Sequence, residues 1–187
     1  IVEHFAHAPQ NVVCVQGVLD YYNARTNWIS RCFTIEYASW WRVILPGIAR
    51  LGLIIPLGGT TLFFRRDVLE DLCGWDAHNV TEDADLGIRM FREGFKCGTI
   101  TLPTYEEAPP EFSPWMKQRT RWLKGWMQTI LIHNRNPLHL LADLGFKSTL
   151  AFHLLLTSIV ISTLIHPFFI VATLIHLYSL GNTYMSG

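Results

Sequence analysis

Residues 149–187 contain no Asp, Glu, Lys or Arg. Within them the run STLAFHLLLTSIVISTLIHPFFIVATLIHLYSL covers 148–180. A helix needs about 20 apolar residues to cross a bilayer core, and this run exceeds that length. It predicts membrane-spanning structure, with a soluble core helix as the alternative. Pro167 divides the run. A kinked helix and a helical pair both satisfy the pattern. We favour one full span over 149–166 and a second beginning after Pro167. His153, His166 and His176 lie in the run and receive no role.

The remainder has the composition of an ordinary domain. The whole chain has 187 residues, 50% apolar and 16% charged, with a mean hydropathy of +0.22. Soluble domains carry roughly 25% charged residues, so the deficit sits in the tail. Net charge is zero, and no global field points to nucleic acid. Lys117, Arg119, Arg121, Lys124 and Arg135 follow one another without an acid between them, and Lys147 precedes the apolar run. Positive residues beside a span mark its cytoplasmic side. The expectation is an integral protein of the inner or plasma membrane with a cytosolic body. Cys14, Cys32, Cys73 and Cys97 form no C-x-x-C pair, so zinc is not expected and reduced, buried thiols are. The chain opens without Met, in mid-pattern, on IVEHFAHAPQNVVCVQG, and we expect it to be one piece of a longer protein.

Local patterns alternate between strand and helix. Residues 1–9 read as the end of a helix, and NVVCVQG (11–17) as a buried strand bounded by Gly17. Residues 25–45 place Trp28, Ile29, Phe33, Tyr37 and Trp40 at helical spacing, with Pro46-Gly47 as the stop. A turn at Gly58-Gly59 leads to a strand over 61–64, and RRDVLEDLCGWD to a short helix ended by Gly74. An acidic helix follows Thr81 and ends at Gly94. A strand over 95–102 precedes the loop PTYEEAPPEF, whose Glu106 and Glu107 face either ligand or solvent. A long helix starts at Ser113-Pro114, with Ser113 as its cap, and runs to about His133. Its Trp115, Trp122 and Trp126, with Lys and Arg on other faces, suit a membrane surface, as does the helix of Trp28. The alternation argues for an α/β architecture: a body over 1–112, an interfacial amphipathic helix over 113–147 and membrane structure over 148–187.

Two clusters carry chemistry. Glu82, Asp83 and Asp85 crowd the first turn of the acidic helix. A carboxylate gains roughly 0.3–1 kcal/mol at the positive end of a helix, and Thr81 is placed to cap it. Capping accounts for one or two of these acids. A carboxylate held there is also placed to accept a proton from an attacking hydroxyl. His78 lies nearby, but the group lacks metal-ligand spacing, so no metal ligand is assigned. Gln118, Arg121 and Trp122 stand at i, i+3 and i+4 on the long helix and share a face. An amide, a forked cation and a flat indole suit a sugar nucleotide or a sugar chain; tryptophans facing lipid are the alternative. In PLGGTTLFF, Gly58 and Gly59 allow either close approach of a substrate or a tight turn.

TED at 81–83, then QRTRW at 118–122, then a membrane run, resembles the membrane-integrated inverting glycosyltransferases of family 2. These include cellulose synthase, hyaluronan synthase, bacterial β-glucan synthases and ceramide glucosyltransferase. The likeness covers roughly residues 10–180, and CVQG, GGT and CGWD look most like bacterial polysaccharide-type members. It implies the C-terminal half of a GT-A-like (nucleotide-diphospho-sugar transferase) domain, followed by interfacial and transmembrane helices. Residues 1–112 would be its acceptor half. By the resemblance Asp83 is the general base, and Thr81 and Glu82 position it. Gln118, Arg121 and Trp122 contact the donor pyrophosphate and the acceptor sugar, and Gly59 and Thr60 lie in an acceptor-contacting segment. The partners implied are a UDP-sugar, a saccharide or lipid acceptor and the membrane. The family's upstream aspartates, which bind uridine and the D-x-D metal, have no counterpart here: residues 1–30 hold only Asp20. Mg²⁺ or Mn²⁺ is therefore expected of the full-length enzyme on ligands outside this chain, and the chain alone is expected to be inactive. Two other readings stand beside this one: a non-catalytic membrane protein that binds saccharides or lipid headgroups, and a lipid-linked phosphotransferase using the acids for metal.

Overall fold

The computed structural model describes residues 1–185. Helix α1 (Val2–His7) leads into β1 (Val12–Tyr21), the central strand of a three-stranded sheet. β2 (Leu62–Phe64) pairs with it antiparallel and β3 (Lys96–Glu106) parallel. Residues 13–19 of β1 are buried without alternation, as an apolar run covered on both faces must be. The strand does not stop at Gly17. That glycine lies under Thr61, where a Cβ would come within 2.3 Å of Thr61 Cγ2, and the β1–β3 register shifts between Gln16 and Val18. Glycine inside a strand marks such a close approach. β3 also outruns its expected end, taking 103–106 from the loop. Pro103 is tolerated because β3 forms the sheet edge among the described residues.

Two of the cysteines meet here. Cys14 and Cys97 are register partners across β1 and β3, and both are buried. Cys32 and Cys73 are exposed, against the expectation of burial, and all four thiols are free.

α2 (Trp28–Ser39) opens on a capping box in which Ser30 N–H donates to Asn27 Oδ1 at 3.0 Å and Asn27 N–H to Ser30 Oγ at 3.1 Å. Pro46 does not end this helix. A π turn, Trp40–Ile44, carries it into α3 (Leu45–Arg50), where Pro46 falls in the first turn and its missing N–H is tolerated. α4 (Arg66–Asp71) precedes α5 (Glu82–Arg92), which buries Ala84, Leu86, Ile88 and Met90 in the core. α6 (Phe112–His133) starts one residue before Ser113, so Glu111 holds the cap position and Ser113 and Pro114 sit inside the first turn.

In the C-terminal part α7 (Pro137–Phe152) is two helical pieces kinked at Gly145 (φ 70°, ψ 168°), and a π turn at His153–Thr157 joins its second piece to α8 (Ser158–Met185). Leu140, Ala151, Phe152, Leu156 and Val160 pack on the body, and residues 161–181 are exposed. Pro167 lies within α8. The second span expected after it is the continuation of the same helix, since a proline between apolar turns removes one hydrogen bond without supplying a turn. The stretch Pro137–Gly181 is long and apolar enough to cross a membrane, and 11% of its most apolar window is buried. Residues 186–187 of the expected membrane segment lie outside the described residues.

Candidate active site

The acids of α5 have different surroundings. Asp85 is 3% exposed; Arg89 Nε donates to its Oδ2 at 2.8 Å and His133 Nε2 to its Oδ1 at 3.0 Å. Burial pushes its carboxyl up, but the His133 and Arg89 hydrogen bonds outweigh burial and hold it below the usual range. Arg92 Nη1 lies 3.2 Å from His133 Nδ1 and is placed to donate to it, which leaves the Nε2 side of the ring for Asp85. Arg92 also pairs with Asp143 of α7 at 2.7 Å. Asp85 is thus fixed in a network joining α5, α6 and α7.

Among the described residues no cation is bonded to Asp83. It is half-buried, and its Oδ1 accepts the N–H of Ala84 at 2.7 Å. Burial pushes its carboxyl up to about 6 from 3.8; Glu82 adds to the rise, and the Ala84 N–H and Arg121 oppose it. Oδ2 points at the backbone of Gly59, where a Cβ would lie 3.1 Å away.

Thr81 stands at the N-cap of α5 but does not cap it with its side chain. Its N–H donates to Asn79 Oδ1 at 3.1 Å, and Asn79 Nδ2 donates to Thr129 of α6 at 2.9 Å. The reason is crowding: α5 meets α6 at Gly125, where a Cβ would lie 2.5 Å from both Thr81 Oγ1 and Cγ2. Arg121 precedes Gly125 by one turn on the same face of α6, which brings its charge to Asp83. Glu82 is half-buried beside it.

Gln118, Arg121 and Trp122 divide between two environments. Arg121 is exposed and lines an open groove of about 710 Å³ with Val80, Met116, Lys117, Thr120 and Lys124. Trp122 is half-buried against α2, its ring 6.1 Å from Tyr37, 6.5 Å from Phe33 and 6.5 Å from Trp126. Between them lies Arg119, which spacing did not single out. Its guanidinium sits 5.1 Å from the ring centres of both Trp122 and Phe33 and holds Glu36 through two bonds of 2.6 Å. Gln118 Oε1 is buried and has no hydrogen-bond partner among the described residues.

The Gly58–Thr61 loop is held from below by Gln16, which is 1% exposed. Thr60 contributes its carbonyl to that contact. Gln16 has a signal in sequence, a lone amide inside VVCVQGVL, but its partners are remote. Among the described residues no three His, Cys, Asp or Glu side chains are grouped to hold a metal ion. Asp85 is committed to His133 and Arg89, so the residues present do not fit the Mg²⁺ or Mn²⁺ that the resemblance implies.

A family model described as glycosyl transferase family group 2 matches residues 1–185. The chain is 30% identical over 118 residues to a probable glycosyltransferase, YdaM, of Bacillus subtilis, covering 63% of this chain and 28% of that protein. It is 26% identical over 132 residues to the poly-beta-1,6-N-acetyl-D-glucosamine synthase of Staphylococcus aureus, covering 70% of this chain and 32% of that one. It is 30% identical over 77 residues to the UDP-forming cellulose synthase catalytic subunit of Komagataeibacter sucrofermentans, covering 41% of this chain and 10% of that one. The chain therefore spans no more than about a third of the length of these relatives.

Proposed function

Because this chain belongs to glycosyl transferase family group 2, we propose that it supplies the acceptor half of an inverting sugar transfer at the cytosolic membrane face. The acceptor hydroxyl gives its proton to Asp83 as its oxygen attacks the anomeric carbon of a UDP-sugar. The bond from that carbon to the diphosphate oxygen breaks, UDP leaves with the electron pair, and configuration inverts. Mg²⁺ or Mn²⁺ belongs to ligands outside this chain, and the chain alone is inactive.

The observation that carries this reading is the contrast within α5. Asp83 has a carboxyl pushed up to about 6 while that of Asp85 is held down, and a value near 6 lies close to the pH at which a general base is most useful. Glu82 and Thr81 set its position. Gly59 leaves its Oδ2 uncovered, with Thr60 beside it. Arg121, with Lys117 and Lys124 in the same groove, faces the departing diphosphate. Trp122, stiffened by Arg119, offers a plane for a sugar ring, and Gln118 Oε1 an acceptor for a hydroxyl. Within the Pro137–Gly181 stretch the uncharged part after Lys147 crosses the membrane, with Lys117, Lys124 and Lys147 on the cytosolic side. The acceptor is a saccharide or a lipid: the relatives' names include polysaccharide synthases and a beta-monoglucosyldiacylglycerol synthase.

The test uses the full-length parent in membranes supplied with radiolabelled UDP-sugars one at a time. Asp83→Asn lowers transfer by about 100-fold or more, the usual worth of a general base, and leaves UDP binding in place. Turnover at the wild-type rate in that variant removes Asp83 from the role of base. Saccharide binding with no transfer from any UDP-sugar favours the non-catalytic reading instead.

A further inference from the structure

We propose that Gln16 is a positioning residue: its buried carboxamide holds the Gly58–Thr61 loop in the conformation that sets Gly59 against the Asp83 carboxylate. The inference rests on the sugar-transfer reading of Asp83.

A buried amide is costly unless both its ends are bonded. Gln16 sits in the middle of β1 among Val13, Cys14, Val15 and Val18, all buried, and it is itself 1% exposed. Both its ends serve the loop. Gly58 N–H donates to Oε1 at 3.0 Å, and Nε2 donates to the Thr60 carbonyl at 2.6 Å. A second contact, Nε2 to the Gly17 carbonyl at 3.4 Å, ties the amide to its own strand. An amide offers a neutral donor and an acceptor side by side on one planar group. The loop backbone presents their complements two residues apart.

The loop is held in a conformation that its residues do not favour. Thr61 has φ 53°, a left-handed value that β-branched residues rarely adopt. Gly17 N–H donates to the Thr61 carbonyl at 2.9 Å, and the Thr61 hydroxyl donates to that of Thr104. On the other side Trp41 fills the space next to Gly58, where a Cβ would lie 2.5 Å from the indole Cη2. Such a backbone persists only where its surroundings over-determine it. The product of this arrangement is the placement of Gly59, exposed at the loop tip, where a Cβ would crowd Asp83 Oδ2 at 3.1 Å. A general base works only within hydrogen-bond reach of its proton. If the loop shifts, the carboxylate is free to turn and the space for an acceptor hydroxyl changes. The donor is held by other groups and is not affected.

The experiment compares Gln16→Met with Val15→Ala in the full-length protein. Met keeps the length and removes both hydrogen bonds. Val15, 0% exposed, is the adjacent residue of β1 and points to the other face. Rates are normalised to the folded fraction from thermal melts. Gln16→Met lowers kcat by about 10- to 100-fold, the scale of a misplaced reacting group, with the donor KM unchanged, while Val15→Ala keeps kcat per folded molecule. Gly59→Ala crowds the same carboxylate from the solvent side without touching the core, and lowers kcat with the same unchanged donor KM. Wild-type kcat in Gln16→Met or in Gly59→Ala overturns the proposal, as does an equal kcat loss in Val15→Ala. If Asp83→Asn is inactive while Gln16→Met keeps full kcat, the role of Gln16 alone falls. If Asp83→Asn itself turns over normally, the base assignment falls first.

Discussion

His133 donates through Nε2 to Asp85 Oδ1 at 3.0 Å, across 48 residues of sequence. That bond separates two carboxylates that stand two positions apart on α5. With Arg89 it holds Asp85 ionised inside the fold, while among the described residues no cation is bonded to Asp83.

Asp85→Ala should destabilise the protein by about 2–4 kcal/mol, because it leaves the buried His133 without its acceptor and Arg89 without its carboxylate. Urea titration at pH 7 measures this. The sign with pH follows from a folded value held below 3.8. The contribution of Asp85 is complete above that unfolded value and is lost as pH falls through the folded one, so the gap between wild type and Asp85→Ala narrows in strong acid. A gap that does not change with pH contradicts the network.

Asp83 has the opposite sign. Its folded value near 6 exceeds the unfolded 3.8, so stability declines as pH rises between the two. Asp83→Asn removes the buried charge and retains an oxygen for the Ala84 N–H. At pH 7 it should raise stability by about 1–3 kcal/mol, seen as a higher Tm, in the same variant that loses transfer.

Gly125→Ala tests the crossing of α5 and α6. The added Cβ meets Thr81 at 2.5 Å, and overpacking of this kind costs about 1–3 kcal/mol. Because the displaced turn carries Asp83, transfer per folded molecule should fall as well. Retained stability and activity would mean that the two helices are not tightly engaged.

Trp122→Ala should raise the acceptor KM more than the donor KM, since the indole and Arg119 form a plane and not a phosphate site. Arg119→Met, which empties the centre of the aromatic group, should shift the acceptor KM in the same direction by a smaller factor. A change confined to the donor KM would reverse the assignment of this face.

Much of this architecture is legible locally. The uncharged tail, the acidic turn and the Gln118–Arg121–Trp122 spacing are patterns within single helices. Long-range contacts decide the rest. Which acid of α5 remains free depends on His133, and why Thr81 does not cap depends on Gly125 and Asn79. Rules about single residues fail where packing overrides them. Gly17 lies inside β1 because Thr61 crosses it, Pro46 continues a helix behind a π turn, and Pro167 continues α8. Arg119 was hidden because its partners Glu36 and Phe33 belong to α2.

The most direct test of Asp83 as the base is the pH dependence of kcat/KM for the acceptor in the full-length wild-type protein. A carboxyl that must be ionised to accept the proton, and that titrates near 6, gives a rate that falls tenfold per pH unit below about 6 and levels off above it. A rate that stays level down to pH 4.5 would contradict the assignment.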